Sequence, residues 1–116
     1  MSTLQKFYDC SLELSMDLIG GKWKLIILWH LLDGEKRFSE LNRIIPNITQ
    51  KMLTSQLREL EEKDLVSRKV YPQVPPKVEY SLTERGKSLE KILRNICQWS
   101  TDYANDYGIN LAPCSK

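Results

Sequence analysis

The sequence predicts a mainly helical α+β chain with a small β-hairpin, and three observations carry that prediction. Residues 37–65 spell one short helix, a Pro46-Asn47 turn and a longer helix with its apolar residues on one side. Residues 66–82 hold two alternating β-branched stretches around a proline-rich tip. An apolar stripe then recurs at helical spacing through residues 83–107. In that order the first two describe a helix-turn-helix followed by a wing. The third, with an N-terminal helix, supplies a surface on which two copies could meet.

The elements follow from local chemistry. Ser11 is expected to cap a first helix running to about Ile19, where Gly20-Gly21 breaks it. Lys22-Trp23 opens a second helix to about Leu32, apolar on almost every side, as suits the middle of a domain or a dimer. Asp33-Gly34 stops it, because glycine takes the left-handed conformation without a steric penalty. Ser39 is expected to cap a short third helix with Phe38, Leu41 and Ile45 inward, ended by Pro46. Thr49 is the expected cap of the fourth, whose Leu53, Leu57 and Leu60 recur at spacings of four and three. Val66 to Tyr71 and Val78 to Leu82 read as a hairpin, since Pro72, Pro75 and Pro76 bar pairing across its tip. From Thr83, again an expected cap, one continuous helix of about 37 Å is expected to reach Tyr107 before Gly108. The helix-turn-helix thus spans about 38–64, the wing about 66–82 and the last helix about 83–107 of a single domain, 1–116.

A chain of 116 residues, 41% hydrophobic and 28% charged, can bury one small core. The longest apolar run, Leu25 to Trp29, falls far short of the roughly 20 residues a membrane span needs, and Met1 to Tyr8 is too polar for a signal peptide. A cytoplasmic protein with reduced thiols is therefore expected. Cys10, Cys97 and Cys114 are too far apart for a disulfide framework or a zinc site. The net charge of +2 is unevenly spread: residues 36–87 hold 11 of the 17 basic and 7 of the 15 acidic side chains. The positive excess sits on the helix-turn-helix and wing, which favours a polyanion partner.

On the fourth helix, with the leucine side as zero, Lys51, Ser55, Arg58 and Glu62 point outward and Thr54 lies beside them. The face begins polar and basic and ends acidic at Glu59, Glu61 and Glu62. That order suits a helix entering a DNA major groove by its N-terminal half. Lys51 and Arg58 can contact guanine or phosphate, Gln50 can read adenine, and Thr54 and Ser55 more often position than specify. The bland alternative is a solvated face. Arg68, Lys69 and Lys77 place charge along the wing, within reach of a phosphate backbone or as ordinary edge-strand protection. Arg37 and Thr49, at the starts of the third and fourth helices, complete the expected DNA-binding set. The apolar stripe Leu89, Ile92, Leu93, Ile96, Trp99 and Tyr103, with Leu12 from the first helix, is the expected dimer interface.

Gly20-Gly21-Lys22-Trp23, Ile27-Leu28, Arg37-Phe38-Ser39-Glu40-Leu41, Ile48-Thr49, Leu53-Thr54, Leu57-Arg58-Glu59-Leu60, Pro75-Pro76-Lys77-Val78-Glu79-Tyr80 and Leu82-Thr83 with Gly86 resemble the HxlR-type family of bacterial winged helix-turn-helix regulators, relatives of the MarR group. The match covers about residues 10–107. The resemblance implies a dimeric transcriptional regulator on palindrome-like operator DNA, with the fourth helix in the major groove and the wing beside it. It also implies a thiol sensor of electrophiles or oxidants such as quinones, aldehydes or hypochlorite, at the place Cys10 occupies. The chain departs from the family pattern in having Ser11 where proline commonly follows that cysteine, and Asp64 where glycine commonly precedes the Leu-Val of the first wing strand.

A helix N-terminus favours a thiolate, whereas Asp9 beside Cys10 opposes one; the alternative is a small residue at the dimer surface. Cys97 falls among apolar positions and reads as packing, and Cys114 has no evident role. His30 and the tryptophans Trp23, Trp29 and Trp99 read as packing residues. A pocket for a small effector among the first, second and last helices is conceivable, but no polar cluster marks it. No cofactor, metal or catalytic set is expected, because paired carboxylates, phosphate loops and metal-spaced ligands are missing from the sequence. The rival to a DNA-binding regulator is a winged helix used only for protein contact, whose recognition face would lack basic and amide side chains.

Overall fold

The computed structural model describes residues 4–112; Cys114 and the end of the tail lie outside them. The chain runs through α1 (Ser11–Ile19), α2 (Lys24–Leu31), β1 (Lys36–Arg37), α3 (Phe38–Ile44), α4 (Gln50–Glu62), β2 (Val66–Tyr71), β3 (Lys77–Leu82), α5 (Glu84–Lys87) and α6 (Glu90–Tyr107). This is the winged helix-turn-helix expected from the sequence, with a third strand added. The sheet is antiparallel in the order β1-β3-β2.

The core is built where the helical periodicity said it would be. Ile27, Leu28, Leu41, Ile45, Leu53, Leu57 and Leu60 are fully buried, so α2, α3 and α4 meet on their apolar faces. Each such side chain contributes about 1.5–3 kcal/mol by leaving water. Leu65, Val66 and Leu82 extend the core to the base of the wing, and Leu93 closes it from α6. The α3–α4 turn is fixed by Asn47, which takes a left-handed φ of 68° that asparagine tolerates. Asn42 Nδ2 donates across the same turn to the Ile48 carbonyl at 3.3 Å.

Three expectations are corrected and one unanticipated strand is added. The first helix is capped by Cys10, not Ser11: Cys10 is extended and its sulfur accepts the Leu12 N–H, while Glu13 Oε1 accepts the Asp9 N–H at 3.2 Å. These contacts set the helix start one residue earlier. The third helix is capped at Arg37, not Ser39, because pairing with β3 holds Arg37 extended and Glu40 Oε1 accepts the Arg37 N–H at 3.0 Å. The two-residue strand β1 was not anticipated, being too short to show an alternation. The last helix is not continuous: Thr83 caps α5 as expected, but at Ser88-Leu89 the chain tightens, with the Leu89 N–H bonded to the Gly86 carbonyl at 3.1 Å. The 18-residue α6 is consequently about 27 Å long, and Gly108 ends it at a φ of 68°.

Candidate nucleic-acid interface

Thr49 Oγ1 accepts the Met52 N–H at 3.1 Å and starts α4 at Gln50. With Leu53, Leu57 and Leu60 buried, Gln50, Lys51, Thr54, Ser55 and Arg58 are all exposed. These five line one shallow cleft with Phe38 of α3, and Glu59 and Glu62 close its far end. The polar-to-acidic order read along the sequence is therefore an order in space. Thr54 Oγ1 donates to the Gln50 carbonyl at 2.8 Å, so its hydroxyl proton is used within the helix while its lone pairs face outward.

The acidic end of the face is structural. Lys24, 8% exposed at the start of α2, reaches Glu59 Oε1 at 2.8 Å. Its hydrogen bond holds the Glu59 carboxyl below the usual range, against a smaller desolvation effect in the opposite sense. Sequence inspection passed over Lys24, because one lysine at a helix start gives no sign that it will be buried. Lys63, the C-cap of α4, donates from Nζ to the Asp17 carbonyl of α1 at 2.5 Å, and Tyr8 donates to Asp17 Oδ2 at 2.6 Å. The same Asp17 hydrogen bond raises the pKa of Tyr8. These bonds tie α1, which has no buried residue of its own, to the end of α4.

The wing separates its cations onto two faces. Opposed residues of an antiparallel pair share a face, so the register places Arg37, Glu79, Lys69, Tyr71 and Lys77 together on one side and Arg68, Tyr80 and Lys36 on the other. Arg68 lies 3.6 Å from Glu61 of α4, on the side where Tyr80 packs against the core. Burial raises the pKa of Tyr80, with the charge of Glu61 adding to it. On the opposite face Lys69 Nζ and Lys77 Nζ lie 4.8 and 4.7 Å from the centre of the Tyr71 ring. Lys77 also meets Glu79 Oε2 at 3.2 Å. The structure thus brings Arg37, Lys69 and Lys77 together and sets Arg68 apart. Tyr71 and Glu79, which were not among the expected residues, share this face with the three cations, and alternation along the two strands was the signal that could have placed them there.

Cys10 is exposed, with its sulfur 3.4 Å from the Leu12 amide nitrogen. Leu12 and Trp99 are 71% and 68% exposed, and Ile92, Ile96 and Tyr103 are also open. Leu93 differs from that set: at 4% exposure it belongs to the core of its own chain, since it sits on the side of α6 that faces the protein. Leu89 is half-buried against the same core. The exposed stripe gains Tyr107, whose ring stacks on Tyr103 at 4.5 Å, as Tyr103 does on Trp99 at 5.6 Å. Phe7 and Met16 add exposed apolar area around α1. Among the described residues no helix is long and apolar enough to cross a membrane.

Comparison with known proteins places this geometry. The model of the HxlR-like helix-turn-helix family matches residues 18–107. YkvN of Bacillus subtilis (strain 168), described as an uncharacterized HTH-type transcriptional regulator, is 61% identical over 99 residues, covering 85% of this chain and 84% of that one. Among solved structures, the redox regulator HypR in its oxidized form is 57% identical with a TM-score of 0.77, covering 80% of this chain and 96% of that one. The reduced form of the transcriptional regulator YodB from B. subtilis is 39% identical with a TM-score of 0.70, covering 81% and 92%.

Proposed function

The chain belongs to the HxlR-like helix-turn-helix family of transcriptional regulators, and from that premise we propose that it acts in the cytoplasm as a homodimer, binds a palindrome-like DNA operator sequence-specifically, and responds to electrophiles or oxidants through Cys10. The observation that carries DNA recognition is α4: three buried leucines on one side, and Gln50, Lys51, Thr54, Ser55 and Arg58 exposed in a single cleft on the other. Lys51, Arg58 and Gln50 reach base edges and phosphates, while Thr54 and Ser55 position the helix. Thr49 contributes by starting the helix, and Arg37, Lys69 and Lys77 contact phosphate. In a dimer two such helices enter successive major grooves about 34 Å apart.

The dimer forms through the exposed stripe of α6, Ile92, Ile96, Trp99, Tyr103 and Tyr107, with Leu12 of α1. An uncovered apolar surface of that extent favours a partner of the same kind. Cys10 stands at the entry to α1. As thiolate it adds to an electrophilic carbon, or it gives two electrons to hypochlorite, taking up oxygen as a sulfenic acid while chloride leaves. Either product changes the cap of α1, and the Lys63–Asp17 bond passes a displacement of α1 to the end of α4. The similarity to a redox regulator supports this part of the reading.

The test is a titration of reduced protein against DNA fragments flanking its own gene, with an unrelated fragment as control, over a range of salt. A preferred fragment and a steep loss of affinity with salt are expected, with the slope reduced by about one for Lys51→Ala or Arg58→Ala if each meets a phosphate. No binding at low salt would favour a protein-contact module instead. A Cys10→Ser protein that responds to hypochlorite as the parent does would remove the sensor role.

A further inference from the structure

Glu79 is an acidic residue at the centre of a basic wing face, and a simple phosphate-binding strip has no use for one. It lies on the middle strand, opposite Arg37 of β1 and Lys69 of β2, so one row across the sheet reads cation, anion, cation. The next pair, Tyr71 opposite Lys77, shares that face. The Glu79 side chain is only 14% exposed, against 26% for Lys77. Desolvation alone would raise its pKa, but the hydrogen bonds of Lys77 and Tyr71 and the charges of Lys77 and Arg37 prevail and hold it below the usual range. The carboxylate is therefore kept charged by its neighbours. Tyr71 completes the frame, with both lysine ammonium groups against its ring.

We infer that Glu79 and Tyr71 are positioning residues that together hold Arg37, Lys69 and Lys77 as a preset phosphate grip on the outer face of the wing, Glu79 acting on Lys77 and Arg37 and the Tyr71 ring on both lysines. Lys77 paired with Glu79, Arg37 within reach of its charge and Lys69 seated with Lys77 on the Tyr71 ring keep a net positive charge while losing the freedom of long side chains. The ordering cost is met before DNA arrives. Phosphate contacts set the register of a protein on its site, so a preset grip matters most on the correct operator. Arg68, on the other face and beside Glu61, takes no part.

This inference rests on the DNA-binding reading, and its test separates the two. Wild type, Glu79→Gln and Tyr71→Phe are titrated against the fragment the wild type prefers and an unrelated one, with circular dichroism confirming each fold. Positioning predicts that Glu79→Gln lowers operator affinity about tenfold while binding to the unrelated fragment holds or rises. Tyr71→Phe, which keeps the ring but loses the hydroxyl, lowers it about threefold and serves alone should Glu79→Gln fail to fold. In the free protein, the 15N ammonium signal of Lys77 should broaden or vanish in Glu79→Gln as its exchange with water quickens. If Glu79 merely dilutes the basic charge, its loss raises affinity for both fragments alike; that result, or no change, overturns the inference. A wild type without operator preference overturns the DNA reading itself and this inference with it.

Discussion

A Cβ placed on Gly86 would overlap the carbonyl oxygen of Leu65 and lie 3.2 Å from its carbonyl carbon and 3.3 Å from Leu82 Cβ. The Leu65 carbonyl cannot swing aside freely, because it accepts the Thr83 N–H at 3.1 Å and leads directly into β2. Gly86→Ala should therefore push α5 from the base of the wing. Overpacking of this kind costs about 1–3 kcal/mol, and loss of the Thr83 bond adds about 1 kcal/mol. The better helix propensity of alanine offsets about 1 kcal/mol, since the φ of Gly86 is not one that disfavours a side chain. The net destabilisation is about 1–3 kcal/mol, which in a domain of this size lowers Tm by about 4 °C for each kcal/mol. Thermal unfolding followed by far-UV circular dichroism, at matched protein concentration because the Tm of the proposed dimer would depend on it, reads the effect. An unchanged or higher Tm would refute the argument from close backbone approach.

Three other substitutions probe separate features. Asp64 has a φ of 60° at the entry to β2, so Asp64→Gly should stabilise the protein by about 0.5–1 kcal/mol in chemical denaturation; a lower midpoint with an unchanged slope would contradict this. Glu59 has its folded pKa depressed from the ordinary 4.5 by Lys24, so the pair's stabilisation is present above that value and is lost as pH falls through the lower folded value. Glu59→Gln should be less stable than the parent at pH 7 and converge with it on acidification, and a gap independent of pH would show that the carboxylate charge is irrelevant. Ile96→Glu places a charge on an exposed position of the α6 stripe, so on the proposed dimer sedimentation should show a folded monomer for the variant and a dimer for the parent; a dimer of unaltered strength would place the interface elsewhere.

The pattern of agreement follows how far each signal reaches along the chain. The fourth helix could be recognised because Thr49, the leucines at 53, 57 and 60, and the polar residues between them all act within four turns of one helix. Val66 to Tyr71 was equally plain, since alternation and a proline tip are local properties. The caps were harder. Ser11 and Ser39 are better suited by type than the residues that serve, but Glu13 and the pairing of Arg37 with Glu79 decided otherwise. The break between α5 and α6 likewise depends on contacts rather than on a helix-breaking residue, for the bonds at Ser88-Leu89 turn Leu89 and Leu93 toward the core.

By itself, then, the sequence determined the winged helix-turn-helix, the basic recognition face and the apolar stripe, all of which arise from side-chain period and local backbone preference. Only the tertiary structure decided which members of those sets act together. It took Leu93 from the exposed stripe into the core, buried Lys24 against Glu59, and divided Arg68 from Lys69. It also gathered Arg37, Lys77 and Tyr71 around Glu79 from three strands. The physical reason is that burial and charge pairing depend on neighbours that chain separation hides, since Arg37 and Glu79 come together through a strand pairing that no local pattern announces.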